Sequence, residues 1–253
     1  MQPIRRETIV EFAGKRALVT GATGGIGAEV SKLLASGGAD VIATGRDAER
    51  GAAVVAQIEA SGGKARFVAA DLSQLARVRD LADAAGDVDI LINNAAIFPG
   101  GPTVEQDAEM FDLAIAANVR APYFLTASLV PGMLERGSGA VVNVSTMAAS
   151  IGMAGLSVYS ATKAALESLT RTWAAEFSPG GVRVNAVAPG PTRTEMVLDA
   201  MGEDGAAQVA ATTMLGRLAT PREIAETIAF LASDRASYLT GAVIAADAGR
   251  TAA

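Results

Sequence analysis

The sequence predicts an α/β fold: a doubly wound parallel sheet with helices on both faces, forming a single domain over residues 1–253. Three observations predict it. Short β-branched runs alternate with longer helical patterns. The first run passes straight into a glycine-rich turn that opens a helix. No linker, repeat or low-complexity stretch divides the chain. Right-handed crossovers turn such an alternation into a parallel sheet whose ligand crevice lies outside the carboxyl ends of the strands.

Taken in order, Arg16–Thr20, Val41–Thr44, Arg66–Ala70 and Ile90–Asn93 read as strands. Between them, Gly25–Ser36, Ala48–Ser61 and Gln74–Ala85 place apolar residues at helical spacing. A long helix at about Glu105–Glu135 leads to the strand Ala140–Ser145, and a second at about Val158–Phe177 leads to Val182–Val187. Thr220, with Glu223 three residues on, forms a capping-box pattern for a helix over Pro221–Ser233, before a last strand near Val243–Ala246. Pro189–Leu215 has weak periodicity and is too long for an ordinary connection, so residues 191–215 are expected to form a mobile lid. Residues 1–14 are expected to be an N-terminal extension.

Half of the residues are apolar and 27 are Gly, which suits small-faced helices packed closely on a buried sheet. A net charge of −6 is the wrong sign for tracking phosphate backbones or anionic membrane, so neither partner is expected. Met1–Phe12 carries Arg5 and Arg6 but no apolar leader core, and no uninterrupted apolar run is long enough for a bilayer span. A cytoplasmic location is the expectation. The chain has no Cys and no His. That excludes zinc-dependent alcohol oxidation, a Ser-His-Asp hydrolase and His-based hydride chemistry, and no metal is expected. Chemistry must run on Tyr, Lys, Ser, Thr, Asn and carboxylates.

The turn Gly21-Ala22-Thr23-Gly24-Gly25-Ile26-Gly27 lies between a strand and a helix, the setting a dinucleotide pyrophosphate needs: close backbone approach and unpaired helix N–H groups. Its spacing is Gly-x3-Gly-x-Gly. Thr20–Gly27 resembles the cofactor turn of the short-chain dehydrogenase/reductase family, in its branch of roughly this length. The resemblance implies a Rossmann-type sheet and a nicotinamide cofactor held by Gly21, Thr23, Gly25, Ile26 and Gly27. At the second strand's tip stands Arg46, which can pair with the 2′-phosphate of NADP. Asp47 beside it could instead accept from the ribose hydroxyls of NAD. NADP(H) is favoured, with NAD(H) as the alternative. Asp71-Leu72 resembles the family's contact to the adenine, and Asp71 can also cap the helix near Ser73. Asn93-Asn94-Ala95-Ala96 resembles the family's Asn-Asn-Ala-Gly, implying sheet support and cofactor contacts at Asn94 and Ala95, with Ala96 at a Gly position.

Tyr159 and Lys163 are four residues apart in a helical pattern and so share a face. A neighbouring ammonium favours the phenolate, drawing a phenol of ordinary pKa near 10 toward neutral pH. By resemblance, Tyr159 is the general acid of carbonyl reduction and the base of alcohol oxidation. Lys163 assists it and binds the nicotinamide ribose, and Asn118 holds a water in a proton relay. The family places a Ser hydroxyl thirteen residues before the Tyr, with Asn three earlier. Here those positions are Thr146 and Asn143. Ser145 is the alternative if a one-residue bulge intervenes. Pro189-Gly190 resembles the segment flanking the nicotinamide, and Thr192 and Thr194 are implied to meet its carboxamide.

The substrate wall is expected to comprise Ile97, Ala148, Met153, Ser157, Met196 and Val197, an apolar set suited to a non-ionic ketone or secondary alcohol. Arg193 could meet an acidic substrate or simply face water. The family resemblance also implies a homotetramer through the two long helices, whose Ala161, Ala164, Ala165, Ala174 and Ala175 allow close approach. At the C-terminus, Asp247-Ala248-Gly249 has Ala where the family has Gly, so packing there is expected to differ. Two rival readings remain: a non-catalytic dinucleotide-binding redox sensor, and an epimerase or dehydratase using the same Tyr-x3-Lys.

Overall fold

The computed structural model describes residues 11–252. Seven strands are present: β1 (Arg16–Thr20), β2 (Asp40–Gly45), β3 (Lys64–Ala69), β4 (Ile90–Asn93), β5 (Gly139–Val144), β6 (Val182–Pro189) and β7 (Val243–Ala246). They form one sheet in the order β3-β2-β1-β4-β5-β6-β7, with every neighbouring pair parallel. The chain crosses the sheet between β3 and β4, so β1 and β4 lie side by side and their following loops diverge. A crevice opens at that switch point.

Helices cover both faces: α1 (Gly25–Ser36), α2 (Ala48–Ala60), α3 (Leu75–Ala85), α4 (Ala108–Ile115), α5 (Ala121–Arg136), α6 (Ser157–Phe177), α7 (Glu195–Ala210) and α8 (Pro221–Ala232). The alternation of strand side chains divides the core in two. Ala17, Val19, Val41 and Ile92 pack beneath Val30 and Leu34 of α1 and Ile224 and Ile228 of α8. Leu18, Ile42, Leu91 and Val141 pack beneath Leu81 of α3, Leu125 and Met133 of α5, and Leu166 and Trp173 of α6. Each such side chain taken fully out of water contributes about 1.5–3 kcal/mol.

One expectation is corrected, and two others gain structural detail. The long helix expected at Glu105–Glu135 is α4 and α5 joined by a π-helical turn at Ala116–Arg120. The lid segment is mostly helical: α7 fills Glu195–Ala210, kinked at Gly202 with φ 66°. The N-terminal extension falls for the most part outside the described residues. Of the part within them, Phe12 is buried in the core under α1 and Glu11 pairs with Arg235, so these residues are docked. By length and composition alone Ala108–Arg136 could cross a membrane, but half of its most apolar window is buried within the protein. The capping box of α8 forms as expected, Thr220 and Glu223 each bonding the other's backbone.

Candidate active site

The glycine turn is fixed by its neighbours before any ligand is considered. Asn94 Nδ2 donates to the carbonyls of Thr20 and Gly21 at 2.8 and 3.1 Å, while the N–H groups of Asn94 and Ala95 both donate to Thr20 Oγ1. Gly21 has φ +64°, and a Cβ on it would lie 2.8 Å from Ala95 Cα. Gly27 is required for a different reason: a Cβ there would collide with the Gly21 carbonyl oxygen. Gly24, the N-cap of α1, offers no side-chain cap, so the first-turn N–H groups at Gly25 and Ile26 are left for an anion.

The turn forms one wall of a cleft of about 980 Å³. Every expected cofactor position lines it except Gly27, whose part is to pack α1 under the turn. At the adenosine end, Asp47 caps α2 by accepting from the Arg50 N–H at 3.0 Å, and Arg46 lines the cleft. Asp71 accepts from Ser73 and Gln74, making a local turn. Burial pushes its carboxyl up, but those bonds and the Arg46 charge outweigh it and hold the pKa below the usual value. Asn93 spans the sheet, its Nδ2 donating to Asn143 Oδ1 at 2.9 Å, and Asn143 Nδ2 in turn donates to Thr170 Oγ1 of α6 at 2.8 Å. Ala96 also lines the cleft and takes no left-handed backbone, so its methyl is accommodated without strain.

At the cleft floor, Tyr159, Lys163 and Thr146 come together. Thr146, just beyond β5, sets its hydroxyl beside the Tyr159 phenol and accepts from the Ala148 N–H at 3.3 Å. The hydroxyl of its neighbour Ser145 is committed elsewhere, donating to the buried Glu167 at 2.6 Å. Lys163 is 2% exposed, its amine 5.8 Å from the Tyr159 ring centroid and donating to the Val144 carbonyl at 2.7 Å. The expected drop in the phenol's pKa is not found. Burial pushes Tyr159 up to about 12, against a smaller downward pull from the Thr146 hydroxyl, and burial pushes Lys163 down to about 8. The physical reason is that desolvation opposes both charges while the amine is turned to a backbone carbonyl.

Asn118 lies beneath the cleft rather than in its wall. Its side chain accepts from the Ile97 N–H at 2.9 Å and donates to the Ile97 carbonyl at 3.0 Å and to Thr162 Oγ1 at 3.1 Å. Thr162 in turn donates to the Tyr159 carbonyl at 2.7 Å. This bridge accounts for the π turn: one extra residue lets the amide face the loop after β4. Of the expected substrate wall, Ile97, Ala148, Met153, Met196 and Val197 line the cleft. Ser157 does not; its hydroxyl accepts from Thr103 at 3.0 Å, and Leu156 takes its place. Arg193 is paired with Glu203 through its two terminal guanidinium nitrogens, Nη1 and Nη2, and lies outside the cleft wall. Thr194 caps α7, accepting from the Val197 N–H, and Thr192 donates to the Gly190 carbonyl.

Three residues were passed over in the sequence. Phe98 stacks edge-on against Tyr159, centroids 4.7 Å apart. Glu167 sits one turn beyond Lys163 on the same face, a spacing that was legible. Arg50 reaches across the cleft to Glu195 of α7.

Residues 21–251 match the family model described as enoyl-(acyl carrier protein) reductase. A solved structure described as a short-chain dehydrogenase/reductase family protein is 53% identical, with a TM-score of 0.91 over 96% of this chain and all of that one. The cis-4-hydroxycyclohexanecarboxylate dehydrogenase of Sinomonas cyclohexanicum is 41% identical over 95% of this chain and 98% of its own length. The 3-oxoacyl-(acyl-carrier-protein) reductase of Agrobacterium tumefaciens, solved with NADP bound, is 33% identical with a TM-score of 0.90 over 97% of both chains. With the glycine turn, the crevice at the switch point and matches over nearly the whole length in hand, the chain belongs to the short-chain dehydrogenase/reductase family and is an NAD(P)-dependent oxidoreductase acting between alcohol and ketone groups.

Proposed function

We propose that this enzyme moves a hydride between NADP(H), in preference to NAD(H), and a ketone or secondary alcohol with an uncharged, mainly apolar body, and that Tyr159 carries the proton. The observation that carries this reading is the convergence of Thr146, Tyr159 and Lys163 in the cleft that also holds the glycine turn. The residues fit the cofactor: the uncapped α1 terminus suits a pyrophosphate, and Arg46 suits a 2′-phosphate while Asp47 is engaged as a helix cap. Gly21, Thr23, Gly25, Ile26, Leu72, Asn94, Ala95, Pro189, Gly190, Thr192 and Thr194 would hold the rest of it. When bound, the oxidised nicotinamide supplies the hydride acceptor and a second positive charge.

In the reducing direction Thr146 orients the substrate oxygen and Tyr159 donates its proton to it. A phenol held at about 12 stays protonated at neutral pH and suits that task. For oxidation, reaching the phenolate costs roughly 3 kcal/mol more than for a solvated phenol, by the upward displacement from its ordinary value near 10. At about 8 the Lys163 amine remains largely protonated at pH 7, the state in which it can donate to ribose hydroxyls. Asn118 acts from behind, holding Ile97 and, through Thr162, the helix turn that carries Tyr159.

The apolar wall and the commitment of Arg193 to Glu203 favour an uncharged substrate. The reading includes a cytoplasmic homotetramer. Phe111 and Tyr123 on α4 and α5, and Ala161 and Ala164 on α6, remain exposed for it, whereas Ala174 is spent in the chain's own core. Light scattering against the 25.5 kDa chain tests the assembly.

The test of function is loss of nicotinamide absorbance with NADPH, then NADH, across a panel of cyclic and linear ketones. Turnover is expected with NADPH first, and Tyr159→Phe should lower it by at least about 100-fold. Turnover that survives Tyr159→Phe removes the proton assignment. Tight cofactor binding with no turnover across the panel would instead identify a redox sensor.

A further inference from the structure

The nucleotide end of the cleft holds a second guanidinium. Arg50 lies in the first turn of α2, and its Nη2 is 2.7 Å from where a Cβ on Gly24 would stand. The backbone of Gly24 is extended, so a side chain there is not barred by conformation; the space it would enter is taken by Arg50. Close by, the Thr23 side chain packs on Gly45, within 2.6 Å of a Cβ placed there, which brings the glycine turn against the end of β2. Arg46 follows directly. Thr23, Gly24, Gly45, Arg46 and Arg50 all line the same cleft, in the place where the adenosine ribose of a dinucleotide sits after the second strand.

We propose that Arg50 is a second cation for the 2′-phosphate of NADP, acting with Arg46, and that Glu195 is the internal counter-ion with which that phosphate competes. The proposal rests on the NADP reading above. Arg50 Nη2 meets Glu195 Oε2 at 2.5 Å, and both side chains are about half or more exposed, at 49% and 64%. An exposed pair of this kind contributes little. A phosphate dianion accepting from a planar guanidinium fork is the stronger partner. Glu195 is also the first residue of α7, directly after its cap Thr194, so the exchange links the start of the lid helix to the kind of cofactor bound.

Binding of NADPH, NADH, 2′,5′-ADP and 5′-AMP should be measured for the wild-type chain and for Arg50→Ala, Arg46→Ala, Glu195→Gln and Arg50→Ala/Glu195→Gln. The wild-type chain is expected to favour 2′,5′-ADP over 5′-AMP. Arg50→Ala should raise Kd for NADPH and for 2′,5′-ADP about tenfold and leave NADH and 5′-AMP within about twofold, the scale of one charge-assisted phosphate contact. Glu195→Gln should tighten NADPH severalfold, and only while Arg50 is present. Equal weakening of NADPH and NADH in Arg50→Ala, or no weakening of either, overturns the assignment of Arg50. An unchanged or weaker Kd for NADPH in Glu195→Gln overturns the counter-ion exchange. A wild-type chain that binds 2′,5′-ADP no better than 5′-AMP removes the NADP reading itself, and that failure is visible before any variant is made.

Discussion

The Ser145 hydroxyl donates to Glu167 Oε1 at 2.6 Å, with both residues buried, while the hydroxyl of the adjacent Thr146 stands beside the Tyr159 phenol. Two neighbouring hydroxyls at the end of β5 therefore have separate duties. One ties the strand end to α6, and the other faces the Tyr159 phenol.

Thr146→Val keeps the side-chain shape and deletes the hydroxyl. It should lower kcat by about 100-fold while changing the cofactor Kd by no more than about twofold. Ser145→Ala should cost about 1–3 kcal/mol of stability, because Glu167 loses its buried donor, and leave kcat within about fivefold. Steady-state kinetics and urea unfolding on both variants check the ranking. A larger kcat loss in Ser145→Ala would transfer the substrate-facing role to Ser145.

Asn118 satisfies both backbone groups of Ile97 and reaches Thr162, all from a residue that is 1% exposed. Asn118→Ala leaves the N–H and carbonyl of the half-buried Ile97 without their side-chain partner, so a loss of about 1–3 kcal/mol is expected by denaturant unfolding. KM for the ketone should rise as well, since Ile97 lines the cleft. Wild-type stability in this variant would mean that the π turn holds without its amide bridge.

The parts legible in the sequence were those with a strong local signature. Arg16–Thr20, Ile90–Asn93 and Val243–Ala246 are found with the bounds expected, because turn residues bracket short apolar runs. Helix α7 was not legible for a physical reason: only Ala206 and Ala210 are buried, so it has no apolar stripe, and Gly202 and Gly205 interrupt it. The π turn leaves little mark on the sequence, because one extra residue barely shifts an apolar pattern. Most of the cleft-lining residues could be placed by motif and spacing. The phenol's elevated pKa and the Arg50–Glu195 pair could not, since burial and contacts between distant elements leave no mark on local sequence.

Lys163 makes a pH-dependent contribution to stability whose sign can be worked out. Its pKa falls from 10.5 in the unfolded chain to about 8 in the fold, by burial. Below about 8 both states are protonated and the fold bears the whole penalty of a buried ammonium. Between about 8 and 10.5 the unfolded chain binds more protons, so this group's contribution to stability rises with pH there. Relative to Lys163→Met, the wild-type chain should gain about 2–3 kcal/mol between pH 8 and pH 10 in urea unfolding. A pH-independent difference would show that the amine keeps its ordinary pKa.

Ala248 is, among the described residues, the single non-glycine residue with positive φ, at 54°. Its surroundings over-determine that conformation. The preceding Asp247 is 5% exposed and accepts from the Gly249 N–H at 3.0 Å, the Thr251 N–H at 2.9 Å and the Thr251 hydroxyl at 2.6 Å. The Ala248 carbonyl accepts from the Met214 N–H at 2.9 Å, tying the C-terminal turn to the segment after α7. Gly190 packs against the same turn, since a Cβ there would lie 2.5 Å from Asp247 Cα, so the turn supports the Pro189-Gly190 wall of the cleft. A left-handed alanine costs roughly 1–2 kcal/mol, and glycine at the same place costs about 0.5–1 kcal/mol through the extra freedom of the unfolded chain. Relief of strain wins by a small margin. Ala248→Gly should therefore stabilise the fold by about 0.5–1 kcal/mol, which raises Tm by about 1–4 °C for a chain of this size. Differential scanning calorimetry reads the change, and a lowered Tm would show that the methyl contributes packing worth more than the strain it imposes.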